Sequence, residues 1–405
     1  MATAEELMNM SDEHLLYGNK LYKAVMDHGK GVYLYDTEGK EYLDLVSGIA
    51  VNSLGYGNKE FLDALKEQMD KFLHISAYYY NEPVCRAAKE LAERAGMSKV
   101  YFCNSGTEAI EGSIKVAKKH AFLKRKKNQQ NLDEDYEIIA MHHSFHGRSM
   151  GSLGLTDNAA YQGPFVPGNV RAVFADFNDL EDVKSKITDK TCGIICEVLQ
   201  GEGGLIEGSK EFFEGLRALC DEKDLILIFD EVQCGMGRLG VLFAHELYGV
   251  MPDVMALAKA IGNGVPVGAF VMNERCSNIL APGEHGGTYG GNPLAATAVN
   301  TVLELYDKYD ILANVNRVAP VLEKRIMKII ETHPGAVEHR GRGLMQGVRV
   351  TVDLTELEKL AFSKGLLFCA AGGDVARFVP ALVITGEEIE KAMDIFEECL
   401  SELEA

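Results

Sequence analysis

Lys259 follows Asp230 by 29 positions, and each closes an apolar run (DVMALAK and LILIFD), while an Asn104-Ser105-Gly106-Thr107-Glu108 turn stands upstream. A lysine amine can form a Schiff base with an aldehyde. A carboxylate can keep a pyridine nitrogen protonated, and a capped helix start presents free N–H groups to a phosphate. One cofactor, pyridoxal 5'-phosphate, uses all three. Each residue also has a plainer reading: a capping carboxylate, a solvated lysine, and a capping box between Ser105 and Glu108. The setting of Lys259 among Ala256, Ala258 and Ala260, ahead of Gly262 and Gly264, favours a desolvated amine with a depressed pKa and room for a bulky group. Gly106 is expected to let an anion approach the helix start, so capping and phosphate binding are compatible.

Other residues extend the chemistry. EIIAMHHSFHGRS ends a strand-like run with three histidines and Arg148. No metal site is expected there, because no cysteine or acid stands at a matching interval and His142 and His143 would leave a strand on opposite faces. Phe145 suits stacking on a cofactor ring, and the planar fork of Arg148 suits a carboxylate. Glu197 ends CGIICEV, and Arg377 lies in DVARFVPALVI. The expectation is that these two pair with each other and that a diacid releases Arg377.

The elements that must carry these residues follow from pattern. Short, nearly all-apolar runs at 100–102, 137–141, 172–174, 193–196, 225–229 and 267–271 alternate with helical stretches such as SKEFFEGLRALCDEKD. That is the texture of a mostly parallel sheet covered on both faces. Residues 31–46 read as a small antiparallel hairpin around Thr37-Glu38-Gly39, and 124–137 as a solvated helix end and loop. Beyond residue 300 long amphipathic helices flank strand-like 344–350 and 366–370. The division expected is a 1–55 segment packing with a smaller 301–405 domain, and a large cofactor-binding domain at 56–300.

Composition sets bounds. A net charge of −19 argues against a nucleic-acid partner, since phosphate backbones demand a basic face. No run approaches the roughly 18 uninterrupted apolar residues of a membrane helix. The acidic start MATAEELMNMSDEHLL is unlike an export signal, and the nine cysteines show no CxxC pair, so reduced thiols and a cytoplasmic location are expected.

Taken in order, NSGTEA, FHGRS, EVLQGEGG, FDEVQCGMGR, AKAIGNGVPVGA, GGTYGGNPLA and RFVPALVI resemble the motifs of class III aminotransferases, with similarity to the bacterial acetylornithine group running from the early hairpin to about residue 385. The resemblance implies the fold type I architecture of pyridoxal-phosphate enzymes: an α/β large domain with a mostly parallel seven-stranded sheet, and a smaller α+β domain. It matches Lys259 to the Schiff-base lysine, Asp230 to the partner of the pyridine nitrogen, Gln233 to a donor to the ring hydroxyl and Phe145 to the stacking aromatic. Ser105, Gly106 and Thr107 match the phosphate site, which Thr288 completes from the neighbouring subunit of a homodimer with two shared active sites. Arg148 and Arg377 match the carboxylate binders, with Glu197 masking Arg377 while a monocarboxylate donor is bound. The activity implied is transfer of the ω-amino group of N-acetylornithine to 2-oxoglutarate, giving N-acetylglutamate semialdehyde and glutamate, a step of arginine biosynthesis.

Departures from the acetylornithine pattern stand at Ala77, Ile110, Val198 and Leu239. Ala77 and Ile110 are expected near the substrate or cofactor, which leaves succinylornithine, ornithine or another ω-amine as alternative donors. An isomerase or decarboxylase on the same cofactor, and a silent binding protein, are the readings from other classes.

Overall fold

The computed structural model describes residues 2–17, 22–132, 135–165 and 170–405. Its centre is a seven-stranded sheet with the spatial order Lys99–Cys103, Gly268–Met272, Val254–Leu257, Ile226–Asp230, Thr191–Glu197, Glu137–Met141, Arg171–Ala175. All run parallel except Gly268–Met272, which is antiparallel to both of its neighbours. The middle strands are buried along their whole length, which is why they read as unbroken apolar runs rather than as alternation. The strand that pattern did not single out is Val254–Leu257. It joins Ile226–Asp230 in parallel, setting Ala256 opposite Asp230, so the run that carries Lys259 and the run that carries Asp230 are neighbours.

Helices cover both faces. Gly106–Lys127 lies so close to the sheet that a Cβ on Gly112 would sit 2.2 Å from the ring of Phe270, so only glycine permits this approach. This helix ends at Lys127, within the 124–137 segment read as a helix end and loop; Asp133 and Glu134 of that segment lie outside the described residues.

The amino-terminal element has three strands rather than two, Met26–Lys30, Tyr33–Asp36 and Glu41–Asp44. Asp36 Oδ1 closes the turn before Gly39 by accepting from the N–H groups of Glu38 and Lys40. The third strand pairs in parallel with Leu366–Leu367, which ties the beginning of the chain to its end. The run read as one strand at 366–370 is thus divided, because Cys369–Ala371 pairs instead with Val375–Phe378 in a second four-stranded sheet, with Ala336–Arg342 and Met345–Val350. Arg377 sits in the middle of that sheet, opposite Gly347 and Cys369. Among the described residues no helix is long and apolar enough to cross a membrane.

Candidate active site

The carboxyl ends of the parallel strands open on a cavity of about 440 Å³ lined by Ser105, Gly106, Thr107, Phe145, Arg148, Glu197, Asp230, Gln233 and Lys259, among others. Ligands gather at this edge of an open α/β sheet because strand ends and helix starts converge there. Asp230 is the last residue of its strand and is 4% exposed. Its Oδ1 accepts from Val232 N at 3.0 Å, and its Oδ2 lies 2.8 Å from Nδ1 of the buried His146. Nε2 of His146 has no partner among the described residues.

Lys259 stands two residues beyond the neighbouring strand in a left-handed backbone (φ 51°), a conformation a side-chain-bearing residue holds only where its surroundings impose it. Among the described residues its amine has no hydrogen bond or ion pair. Burial pushes its pKa below the usual lysine value, helped by Arg377 and opposed by the carboxylates of Glu202, Asp230 and Glu197.

The residues expected at the phosphate lie at the start of the Gly106–Lys127 helix. Ser105 caps it by accepting from Glu108 N at 3.3 Å. The capping box expected from the spacing is not closed, since the Glu108 carboxylate accepts instead from Asn104 N at 2.5 Å. Gly106 has a role the sequence reading did not anticipate: a Cβ there would lie 2.8 Å from Val232, so the glycine seats the helix start on the turn after Asp230. The Thr107 hydroxyl is spent on Ser149 and Ser152, each at 2.6 Å, and these bonds tie the helix start to the FHGRS segment.

That segment follows the strand end at Met141. His142 and His143 lie beyond it, so they do not alternate within a strand as expected, and His143 takes a left-handed φ of 63°. No group of His, Cys, Asp and Glu among the described residues could hold a metal ion. Phe145 lines the cavity, its N–H donating to Glu197 Oε2 at 3.2 Å, and the Arg148 guanidinium stacks on the Tyr161 ring 3.2 Å from its centroid.

The two acids of EVLQGEGG exchange the roles expected of them. Arg377 is 2% exposed and bonds to Glu202 Oε1 at 2.6 Å, with Gly201 O at 3.2 Å and Gln233 Oε1 at 3.0 Å as further acceptors. The expected Glu197–Arg377 pair is not formed. Glu197 ends a strand with its carboxylate turned to Phe145 N and to Gly201 N, and it stands in register with Asp230 on the adjacent strand. Burial raises its pKa to about 7, with the Asp230 carboxylate adding to the rise against His146 and those two donors. Glu202, buried beside the Arg377 guanidinium, is held below the ordinary carboxylate value in spite of its burial. The Glu in Gly-Glu-Gly is five residues beyond the strand end at Glu197, and spacing alone does not separate the two acids.

Thr288 is exposed and is absent from the residues lining the cavity of its own chain. Ala77 is exposed, Ile110, Val198 and Leu239 are buried in apolar clusters, and none of the four lines the cavity of its own chain. Sequence reasoning missed His146 as the partner of Asp230, Glu202, Tyr161 and Val51. Val51 reaches the cavity from a left-handed turn at Ser47–Ala50, whose φ values of 48°, 69°, 63° and 62° include a β-branched Ile49. No local pattern announces such a turn.

The donor set fits pyridoxal phosphate. Among the described residues, an amine without a partner, a buried carboxylate whose histidine partner keeps one bare nitrogen, an aromatic wall and a capped helix start meet in one cavity.

Comparison with known proteins agrees with this geometry. The aminotransferase class-III profile matches residues 17–400. The chain is 44% identical over 394 residues to the acetylornithine aminotransferase of Clostridium acetobutylicum, covering 96% of this chain and all of that one. It is 41% identical over 375 residues to the succinylornithine transaminase of Yersinia pseudotuberculosis, covering 91% and 90%. The ornithine aminotransferase of Toxoplasma gondii, whose structure holds pyridoxal phosphate at partial occupancy in its active site, superposes with a TM-score of 0.92 at 26% identity over 99% of this chain and 95% of that one. With the strand-end aspartate, the lysine beside it and nearly the whole length matched, this chain belongs to the class III aminotransferases, pyridoxal-phosphate enzymes of fold type I.

Proposed function

We propose that this enzyme moves the ω-amino group of an N-acylated ornithine, N-acetylornithine first, to 2-oxoglutarate. The observation that carries the reading is the Arg377–Glu202 pair beside the Lys259 cavity, with Arg148 at the cavity wall. Two arginines, one of them covered by an exchangeable carboxylate, suit an enzyme that must take a monocarboxylate donor and then a dicarboxylate acceptor in one site. The masking assigned to Glu197 by resemblance passes to Glu202. Pyridoxal phosphate, when bound, supplies the electron sink. Lys259 and Asp230 would hold it, with Gln233 at the ring oxygen, Phe145 on the ring face and Ser105, Gly106 and Thr107 at the phosphate. The chain's own contribution is proton handling: desolvation lowers the pKa of the Lys259 amine from the ordinary lysine value, which suits it to take and return a proton at Nζ. Succinylornithine is the second reading, favoured by the likeness to the Yersinia transaminase.

A homodimer with shared sites is part of this proposal. Thr288 would complete the phosphate site of the partner subunit, and the exposed Phe72, Leu73, Tyr78, Tyr79, Tyr80 and Tyr289 supply apolar surface for a second copy. A large cofactor domain at 56–300, a small one at 301–405 with the first 55 residues packed on it, and a cytoplasmic location complete the reading. Rapid-mixing absorbance of the holoenzyme against N-acetylornithine, N-succinylornithine, ornithine and 4-aminobutyrate tests it. The N-acylated ornithines should convert the cofactor band fastest, and a faster conversion by 4-aminobutyrate would overturn the assignment.

A further inference from the structure

Gln233 belongs to two places at once. Its side chain is 8% exposed and lines the Lys259 cavity, yet its Oε1 accepts from Arg377 Nη1 at 3.0 Å and its Nε2 donates to Glu202 Oε1 at 3.3 Å. Room for the amide depends on Gly201, where a Cβ would fall 2.5 Å from Gln233 Oε1. The network is also overcommitted. Arg377 Nη1 carries two hydrogens and faces three acceptors, Gly201 O, Glu202 Oε1 and Gln233 Oε1. Removing Glu202 therefore changes both ends of the amide: Oε1 gains a larger share of the guanidinium, and Nε2 loses the acceptor it has in Glu202.

We infer that Gln233 is a positioning residue that couples occupancy of Arg377 to the electronic state of the cofactor. When a dicarboxylate displaces Glu202, the amide reorients and its donation into the cavity changes. The proton affinity of the bond between Lys259 and the cofactor follows. The carboxylate site and the reacting end of the enzyme are thereby linked through one side chain, so the acceptor substrate prepares the chemistry as it binds. The inference rests on the reading that pyridoxal phosphate occupies the cavity and that Arg377 takes a dicarboxylate.

Glutarate, a dicarboxylate with no carbonyl to react, supplies the test. The pH midpoint of the holoenzyme's long-wavelength absorption band is measured with and without saturating glutarate, for the native protein and for Gln233→Leu, and glutarate affinity is measured by calorimetry. Charge brought by glutarate moves the midpoint in both proteins; the coupling is the difference between the two shifts. That difference should be about 0.5 to 1 pH unit, the size of one hydrogen bond gained or lost. Glu202→Gln should reproduce part of the glutarate shift in the absence of ligand and serves where Gln233→Leu does not fold. Equal shifts in native protein and Gln233→Leu, with glutarate bound by both, overturn the inference and leave the proposed function standing. A native holoenzyme that does not bind glutarate overturns the reading of Arg377 and the inference with it.

Discussion

Asp230 and Glu231 are consecutive, both sealed from solvent and both bonded to a histidine, yet they serve opposite sides of the molecule. Side chains alternate across an extended chain, so one faces the cavity and the other the interior. Glu231 is saturated: it accepts from Ala244 N at 2.5 Å, His245 N at 2.8 Å and His245 Nδ1 at 2.9 Å. His245, although burial disfavours its charge, is raised above the ordinary histidine pKa by that carboxylate. Asp230 holds one N–H and one histidine whose far nitrogen is bare, and it lines the cavity. Burial and a histidine partner therefore do not mark a functional acid; unspent valence facing a cavity does.

The comparison can be broken by substitution. The largest effect is expected from Lys259→Ala, which adds the amine to the cavity side of the contrast: transamination should fall by about 10³-fold or more while the protein still folds, as read from turnover and circular dichroism. Ordinary turnover in that variant would remove the lysine from the mechanism. Asp230→Asn should lower turnover by about 10² to 10⁴-fold with little change in thermal midpoint. Glu231→Gln should do the reverse, destabilising by about 3 kcal/mol because it breaks a buried pair, with turnover per folded molecule retained. Urea titrations beside steady-state rates separate these patterns, and equal behaviour of the two variants would abolish the distinction between the carboxylates.

Glu197 sharpens it further, being a third buried acid in register with Asp230. Its pKa in the folded chain, about 7, exceeds its ordinary value of 4.5, so the folded state binds the extra proton between those limits. Stability of the cofactor-free protein should therefore be greatest on this account below pH 4.5 and decline by about 3 kcal/mol as pH rises through 7. In Glu197→Gln that decline should vanish, as urea unfolding at pH 5 and pH 8 would reveal; the same decline in both proteins would place the titration elsewhere. The smallest effect is expected from Gly106→Ala, where the new methyl group meets Val232 and should cost about 1 to 3 kcal/mol along with weaker cofactor retention, measured by dialysis.

Much of this site was legible before any fold was in view. Lys259, Asp230 and Ser105 each sit where an apolar run gives way to glycine or to a cap, and such transitions mark strand ends and helix starts, where sheet proteins bind ligands. What was not legible depended on partners distant in sequence. His146 and Asp230 are 84 residues apart, and Arg377 lies 175 residues from the Glu202 it selects over Glu197. The strand at Val254–Leu257 escaped notice because four apolar residues beside a lysine read equally as an approach to the lysine.

The chain by itself determined most of the central strands, the helix starts and the residues that stand at their ends, because periodicity and capping are local and act within a few residues. Motif order determined the family. The tertiary structure alone decided which acid faces which base: a carboxylate's partner depends on side-chain direction and on a register set between strands, and a difference of five positions in a glycine-rich turn reverses the outcome. Glu197 was turned toward the backbone N–H groups of Phe145 and Gly201, and Glu202 toward the guanidinium. No spacing rule encodes that, since the glycines between the two allow either geometry until the second sheet brings Arg377 into place.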